Sequence, residues 1–132
     1  MIVVDASVLV ATLADDGRDG ARARNRLVGC ELAAPELVDL EVASALRRLV
    51  AAKQVTVRRA ELALSDLLDL PVRRAAHAPL LRRCWELRRN VSVYDAAYVA
   101  LAEALDAVLL TADARLSRAP GLDCAVELLT SM

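Results

Sequence analysis

Short apolar segments rich in valine, isoleucine and leucine alternate with longer helical segments, and this alternation constrains the fold more than any other feature of the chain. Short apolar runs are typical of strands buried on both faces, and strands that alternate with helices form parallel sheets. We therefore predict the α/β class with a mostly parallel central sheet. The predicted strands cover residues 2–4, 32–34, 72–75, 107–110 and 124–128.

The predicted helices fill the intervals between these strands. Pro35 is well placed in the first turn of the third helix, with Glu36 favourable at its positive end. The predicted helices cover residues 6–14, 18–27, 35–52, 56–69, 77–89, 92–105 and 113–119.

The bulk properties predict one soluble domain. The 132 residues contain no internal repeat, low-complexity segment or linker, so a single domain over 1–132 is expected. No apolar run approaches the ~20 residues needed to span a bilayer, and the first residues lack the basic flank of a signal peptide. We therefore expect a soluble, cytoplasmic protein. The three cysteines have no metal-ligand spacing, and their odd number argues against a disulfide framework.

The charge pattern does not by itself indicate nucleic-acid binding. The net charge of −1 provides no overall basic field. Lys53 is the only lysine, and the other positively charged side chains are arginines. Arginine is suited to bidentate contact with phosphate. A solvated helix surface is the plainer explanation, and a few pairs could still line a groove for substrate. The pairs are Arg47-Arg48, Arg58-Arg59, Arg73-Arg74, Arg82-Arg83 and Arg88-Arg89.

Two aspartates lie where predicted strands end. Asp5 directly follows the first strand, and Asp113 follows the fourth strand after a short turn. Ligands of open α/β sheets bind beyond the carboxyl ends of the strands. A hydroxyl lies two residues from each acid, Ser7 after Asp5 and Thr111 before Asp113, where it can hold a carboxylate or a bound water in orientation. Taken singly, either aspartate is equally well explained as a helix N-cap.

Glu41 lies on the apolar face of the helix predicted from Pro35, in one i, i+4 row with Leu37 and Ala45. An unpaired carboxylate on such a face is costly unless a cation meets it. The cation is either an arginine such as Arg48 or a metal ion, and the residues leave both open.

Asp95 lies in a similar setting. The segment from Val93 to Leu105 is apolar nearly all round, which predicts a buried helix, and Asp95 shares a face with Tyr98. Ser92 and Asp95 also fit a capping box, a structural role. A carboxylate can close the box and still project from the helix start into a cleft, so the two roles are compatible.

Together these acids predict a metal site. Carboxylates gathered in a cleft repel one another, so either their pKa values rise or a cation binds among them. Oxygen ligands favour Mg²⁺ or Mn²⁺ over Zn²⁺, and such ions can activate water for attack on a phosphodiester. The only histidine, His77, lies in a polar stretch and is expected at the surface.

Four segments follow one another along the whole chain: MIVVDASVLV, APELVDLEVASAL, SVYDAAYVALAEAL and LLTADARL. In this order they resemble the PIN-domain ribonucleases, with the compact VapC-type toxins of bacterial toxin–antitoxin pairs as the nearest likeness. The resemblance implies a three-layer α/β/α fold, endoribonuclease activity on structured RNA, homodimerisation, and inhibition by a cognate antitoxin that inserts a segment near the acids.

The resemblance also implies roles for individual residues. Asp5, Glu41, Asp95 and Asp113 would form the acidic set that binds Mg²⁺ or Mn²⁺, with Ser7 and Thr111 as supporting polar residues.

Two other classes of function are compatible with an α/β scaffold. A phosphoacceptor or phosphatase would use Asp5 to take a phosphoryl group. Against it, the only lysine, Lys53, lies at a helix end, and Ser7 stands where a dehalogenase-type phosphatase needs a second aspartate. A catalytically inactive binding module, whose acids hold an ion or a partner's arginines, stays open.

Overall fold

A computed structural model describes residues 1–130; residues 131 and 132 of the predicted domain lie outside the described residues. The strands are β1 (Ile2–Val4), β2 (Leu32–Pro35), β3 (Val72–Ala75), β4 (Val108–Thr111) and β5 (Val126–Leu128). The helices are α1 (Ala6–Ala14), α2 (Arg18–Leu27), α3 (Val38–Ala51), α4 (Val57–Asp69), α5 (Leu81–Glu86), α6 (Val93–Leu105) and α7 (Ala114–Ser117). A single 3-10 turn, Ala78–Leu80, precedes α5.

The five strands form one sheet in the order β3-β2-β1-β4-β5, and every neighbouring pair is parallel. The predicted α/β class and parallel sheet are confirmed. At the centre of the sheet Val3 pairs with Ala33 on one side and with Leu109 on the other. The chain builds outward from β1 to β3 and then returns to place β4 on the free side of β1. The direction in which successive strands are added to the sheet therefore reverses between β1 and β4. Ligands of such sheets bind beyond the strand ends at this point.

The helices pack in two groups. The helices α1, α3 and α4 contact one another and α2 packs on α1, whereas α6 packs on β1, β2 and β4 and is covered by α5. Right-handed crossovers that run in opposite directions along a parallel sheet place their helices on opposite faces. The result is the three-layer α/β/α arrangement implied by the resemblance.

The core consists mainly of leucine, valine and alanine, and Tyr98 is the one aromatic side chain in it, with no exposed surface. Trp85 and Tyr94 are exposed instead. Among residues 1–130, no helix is long and apolar enough to cross a membrane.

The helices predicted over 35–52 and 77–89 differ most from those of the structure. Pro35 lies at the end of β2, opposite Ala75, and α3 begins only at Val38. The Glu36 N–H donates to Ala75 O of β3. Successive backbone nitrogens of a strand face opposite sides, so the Pro35 nitrogen faces the β1 side, beyond the residues of β2 that pair with β1. Proline, which has no N–H, is therefore tolerated there. The helix predicted over 77–89 is split into the 3-10 turn around Pro79 and α5, and it ends before Asn90, whose side chain donates to Pro120 O.

Candidate active site

Asp5 lies directly after β1, with 7% of its surface exposed. It occupies the N-cap position of α1, but its side chain makes no capping hydrogen bond. Its Oδ2 atom accepts hydrogen bonds from Ser7 Oγ at 2.7 Å and from Thr111 Oγ1 at 2.8 Å. Helix capping therefore does not explain the Asp5 carboxylate.

The two hydroxyls that hold Asp5 are themselves fixed by backbone groups. The Ala112 N–H donates to Ser7 Oγ and the Asp113 N–H donates to Thr111 Oγ1, both at 3.0 Å. Because each oxygen already accepts a backbone bond, its own proton is directed at Asp5. The other Asp5 oxygen, Oδ1, makes no side-chain hydrogen bond within residues 1–130. In the same residues every fully buried side-chain nitrogen or oxygen has a partner, so Oδ1 is not fully buried and reaches solvent. Asp5 is thus held through one oxygen and presents the other.

Glu41 lies in the first turn of α3 and is partly buried, as its place on the apolar face predicts. Tyr98 OH donates to Glu41 Oε1 at 2.6 Å. Arg48 donates to Ser44 Oγ instead, and Glu41 forms no ion pair in the part of the chain that the structure describes. The structural pairing with Arg48 is therefore absent.

Asp95 lies in the first turn of α6, partly exposed, with its backbone N–H donated to Ser92 Oγ at 3.0 Å. Ser92 is thus the N-cap. Within residues 1–130 the Ser92 N–H does not donate to the Asp95 carboxylate, so only half of the capping box is present. The carboxylate is left available for another role.

Asp113 is the N-cap of α7, and its Oδ1 accepts the Arg115 N–H at 2.9 Å. The Arg115 side chain, 89% exposed, adds a loose ion pair at 3.7 Å. The capping explanation holds for Asp113, and one carboxylate oxygen is engaged by it.

The four acids influence one another electrostatically. Burial raises the pKa of Glu41, and the negative charges of Asp5 and Asp95 raise it further, against the opposing Tyr98 hydrogen bond. Burial also raises the pKa of Asp95, with further contributions from the charges of Asp5 and Asp113. The pKa of Tyr98 is raised well above its usual range by burial and by its contact with Glu41, so its hydroxyl stays a donor. Acids from β1, α3, α6 and the β4 end thus share one negatively charged region.

This donor set fits a hard divalent cation, because its ligands are carboxylate oxygens whose mutual repulsion such an ion would relieve. As the side chains are placed in residues 1–130, no three acidic, histidine or cysteine side chains form a ready cluster around one position. Mg²⁺ in proteins keeps several water ligands and uses one or two direct carboxylates, so a complete cage of protein ligands is not required. The metal ligands named from the sequence stay a prediction.

The sequence missed the partner of Glu41. Tyr98 was placed on the face of Asp95 without a role, although a tyrosine inside an otherwise aliphatic buried helix needs a partner for its hydroxyl. The sequence also associated Thr111 with Asp113, whereas the Thr111 hydroxyl donates to Asp5 and accepts only the backbone N–H of Asp113.

The fold is that of a known class of protein. The family model of the PIN domain matches residues 2–122. The chain belongs to the PIN-domain family.

The chain is similar to individual members of this family in sequence and in structure. Ribonuclease VapC1 of Mycobacterium tuberculosis is 46% identical over 127 residues, covering 96% of both chains. Among solved structures, Mycobacterium tuberculosis VapC20, described as a sarcin–ricin-loop-cleaving toxin, matches with a TM-score of 0.69 at 21% identity, covering 89% of this chain and 93% of that one. VapBC2 from Rickettsia felis, solved with a promoter DNA fragment, matches with a TM-score of 0.69 at 16% identity over 97% and 98% of the two chains.

Proposed function

We propose that this protein is a VapC-type endoribonuclease, the toxin of a toxin–antitoxin pair, which hydrolyses RNA phosphodiester bonds with a divalent ion, Mg²⁺ or Mn²⁺. The observation that supports the proposal is the position of Asp5 and Asp113 just after β1 and β4, at the strand ends where ligands of such sheets bind, with Glu41 and Asp95 near enough for the charge of Asp5 to raise the pKa of each. The 46% identity to a ribonuclease supports the same reaction. The proposal includes a single domain over 1–132 and a cytoplasmic location.

The protein's own residues would hold and orient the reactants. Asp5 presents Oδ1 while its other oxygen is fixed by Ser7 and Thr111. Glu41 and Asp95 contribute charges that are poorly compensated in the protein alone. When bound, the ion supplies activated water and neutralises charge on the phosphodiester.

RNA cleavage by the purified protein, with added Mg²⁺ or Mn²⁺ and with EDTA, tests this proposal. We expect cleavage that EDTA abolishes and that falls by at least roughly 100-fold in Asp5→Asn and Asp95→Asn, because each change removes a charge from the site. Asp69→Asn, an exposed aspartate at the end of α4, serves as the matched control and should cleave normally. Cleavage in EDTA, or full activity of Asp95→Asn, would refute the mechanism. Tight partner binding without any cleavage would identify an inactive binding module.

A groove of about 1010 Å³ beside the acids is the proposed site of the antitoxin. Its lining includes Ser7 and Ala112, which belong to the surroundings of Asp5, and Ala114, which follows Asp113. Apolar side chains line much of it, together with three aspartates and two arginines; these are Val10, Ala11, Ala14, Leu49, Val55, Leu128 and Leu129, with Asp15, Asp16, Asp19, Arg22 and Arg59. Arg59 forms an ion pair with Asp16. An amphipathic segment that places its apolar side chains against this surface complements it.

The groove is tested with the protein encoded by a short reading frame directly upstream of the gene. Val55→Arg, inside the groove, should weaken its binding by at least roughly tenfold without lowering RNA cleavage, because a charge replaces apolar contact. Val57→Arg, two residues away and outside the groove lining, is the control. Equal binding by both variants would place the antitoxin elsewhere.

A homodimer is the remaining part of the proposal. Large apolar side chains are exposed on α3, α5 and α6, namely Leu40, Leu81, Trp85 and Tyr94, and a second copy could cover them. Light scattering at micromolar concentration should give twice the mass of one chain, and the mass of one chain would contradict this part.

A further inference from the structure

Tyr98 and Glu41 form a contact that ties two layers of the fold together. Tyr98 belongs to α6, which packs on β1, β2 and β4, and its side chain has no exposed surface. Glu41 belongs to α3, which packs with α1 and α4. The 2.6 Å separation between Tyr98 OH and Glu41 Oε1 is typical of a hydroxyl that donates to an ionised carboxylate. The contact therefore belongs to the stronger class of hydrogen bonds.

This hydrogen bond is the only one that the Glu41 side chain makes within residues 1–130. A glutamate side chain has several rotatable bonds, and ordering it carries an entropy cost that a partner must offset. The nearest arginine on the same helix face, Arg48, is engaged with Ser44. The orientation of the Glu41 carboxylate is therefore set by Tyr98.

The helix that carries Tyr98 also carries Asp95, three residues earlier and on the same face. A rigid, buried helix thus places one acid directly and a second acid through a hydrogen bond. A buried tyrosine hydroxyl needs a hydrogen-bond partner of some kind. Here it donates to a carboxylate of the acidic region.

We propose that Tyr98 is a positioning residue of the metal site: its buried hydroxyl holds the Glu41 carboxylate in the orientation from which Glu41 binds the divalent ion. The inference rests on the proposed function, because it assumes that the acids bind such an ion. It adds a residue that touches neither the ion nor RNA.

Binding of Mn²⁺ to the RNA-free protein, followed by the electron paramagnetic resonance signal of free Mn²⁺, tests the proposal. Tyr98→Phe should weaken Mn²⁺ binding by roughly tenfold, a loss typical of removing the partner of a metal ligand. Tyr94→Phe is a matched control on the same helix, because Tyr94 is exposed and its hydroxyl makes no hydrogen bond in the described residues. At saturating Mn²⁺ the cleavage rate of Tyr98→Phe should return to within about twofold of the unmodified protein.

A double-mutant cycle separates positioning from a general effect on folding. In a Glu41→Ala background, Tyr98→Phe should cause no further loss of Mn²⁺ affinity, because the group through which it acts is gone. A second measurement uses protein that retains the Tyr98 hydroxyl. In the Tyr94→Phe variant Tyr98 is the one remaining tyrosine, and binding of Mn²⁺ should change the ultraviolet absorption of its ring. Glu41→Ala should abolish that change.

The outcomes distinguish this inference from the proposed function. If the unmodified protein binds Mn²⁺ and cleaves RNA while Tyr98→Phe binds Mn²⁺ as tightly as Tyr94→Phe, the inference is overturned and the function stands. An undiminished effect of Tyr98→Phe in the Glu41→Ala background also overturns it. Absence of Mn²⁺ binding by the unmodified protein overturns the inference, and cleavage that persists in EDTA overturns both.

Discussion

Thr111 and Asp5 are 106 residues apart in the chain, and Thr111 Oγ1 donates a hydrogen bond of 2.8 Å to Asp5 Oδ2. The bond connects the carboxyl ends of β4 and β1, the two strands between which the order of strand addition changes direction. Thr111 is fully buried, and its oxygen accepts the Asp113 N–H. One hydroxyl therefore fixes a carboxylate of the site and the turn that carries another acid.

Thr111→Val should lower RNA cleavage by roughly 10- to 100-fold, because it keeps the shape of the side chain and removes the donor that orients Asp5. The measurement is the cleavage rate at a fixed, subsaturating Mn²⁺ concentration. Thr12→Val is the control, since Thr12 donates only to Val8 O of its own helix. Equal rates for the two variants would show that Asp5 needs no second hydroxyl.

Asp95→Asn should raise the melting temperature of the metal-free protein at about pH 7 by a few degrees while abolishing cleavage. The pKa of Asp95 is raised above its ordinary value of 3.8 by burial and neighbouring acids. A folded carboxyl with a raised pKa binds more protons than the unfolded one, so stability falls as pH rises through the raised pKa. Asparagine removes that penalty.

The same comparison at low pH provides the check. Below the ordinary pKa of 3.8 both folded and unfolded Asp95 are protonated, so the stabilisation by Asp95→Asn should disappear. Saturating Mg²⁺ at neutral pH should also remove it. Thermal unfolding followed by circular dichroism in EDTA measures the effect, with Asp69→Asn as the control. A lower melting temperature for Asp95→Asn at neutral pH would contradict the electrostatic account.

Gly20→Ala should destabilise the protein by about 1–3 kcal/mol, opposite to the gain of about 1 kcal/mol that helix propensity alone predicts. Gly20 is buried where α2 crosses the end of α1, and a Cβ there would overlap the Asp15 carbonyl and lie 2.9 Å from Ala11 O. Urea denaturation measures the change. Asn25→Ala, exposed on the same helix, should be neutral or slightly stabilising. A stabilising Gly20→Ala would mean that the two helices can separate at little cost.

Arg83→Lys should cost about 1–2 kcal/mol of unfolding free energy. The Arg83 guanidinium donates twice to Glu103, at 2.8 and 3.1 Å, and to Gly121 O at 3.1 Å, a fork that an ammonium group cannot reproduce. The matched control is Arg82→Lys, next in the chain and exposed, which should change stability by less than about 0.5 kcal/mol. Indistinguishable urea midpoints would show that this network is replaceable.

The sequence predicted the positions of all five strands along the chain, most clearly for β1, β2 and β4, because central strands of a parallel sheet are buried on both faces and appear as short apolar runs. The edge strands β3 and β5 are less buried, and β3 contains Arg73 and Arg74. The bounds of α1 and α2 were predicted to the residue, since Asp5 and the Asp15–Gly17 break define their ends. The predicted start of the third helix at Pro35 was wrong because proline suits both the start of a helix and the end of a strand. Its surroundings in the sheet decided between them.

The acidic site was predicted only in part. Residue type and position relative to strand ends indicated Asp5 and Asp113, and an acid on an apolar helix face indicated Glu41. The contact of Tyr98 with Glu41 joins residues 57 positions apart on different helices. Such contacts depend on the packing of whole elements, and no local pattern encodes them.

The two hydroxyls around Asp5 also have a consequence for synthesis on the ribosome. Asp5 emerges among the first residues, but its partner Thr111 belongs to β4, so a nascent chain lacks a complete centre until β4 has inserted beside β1. Pairings between distant segments form late in folding. A chain that ends before β4 therefore lacks the Thr111 hydroxyl that holds the Asp5 carboxylate in orientation.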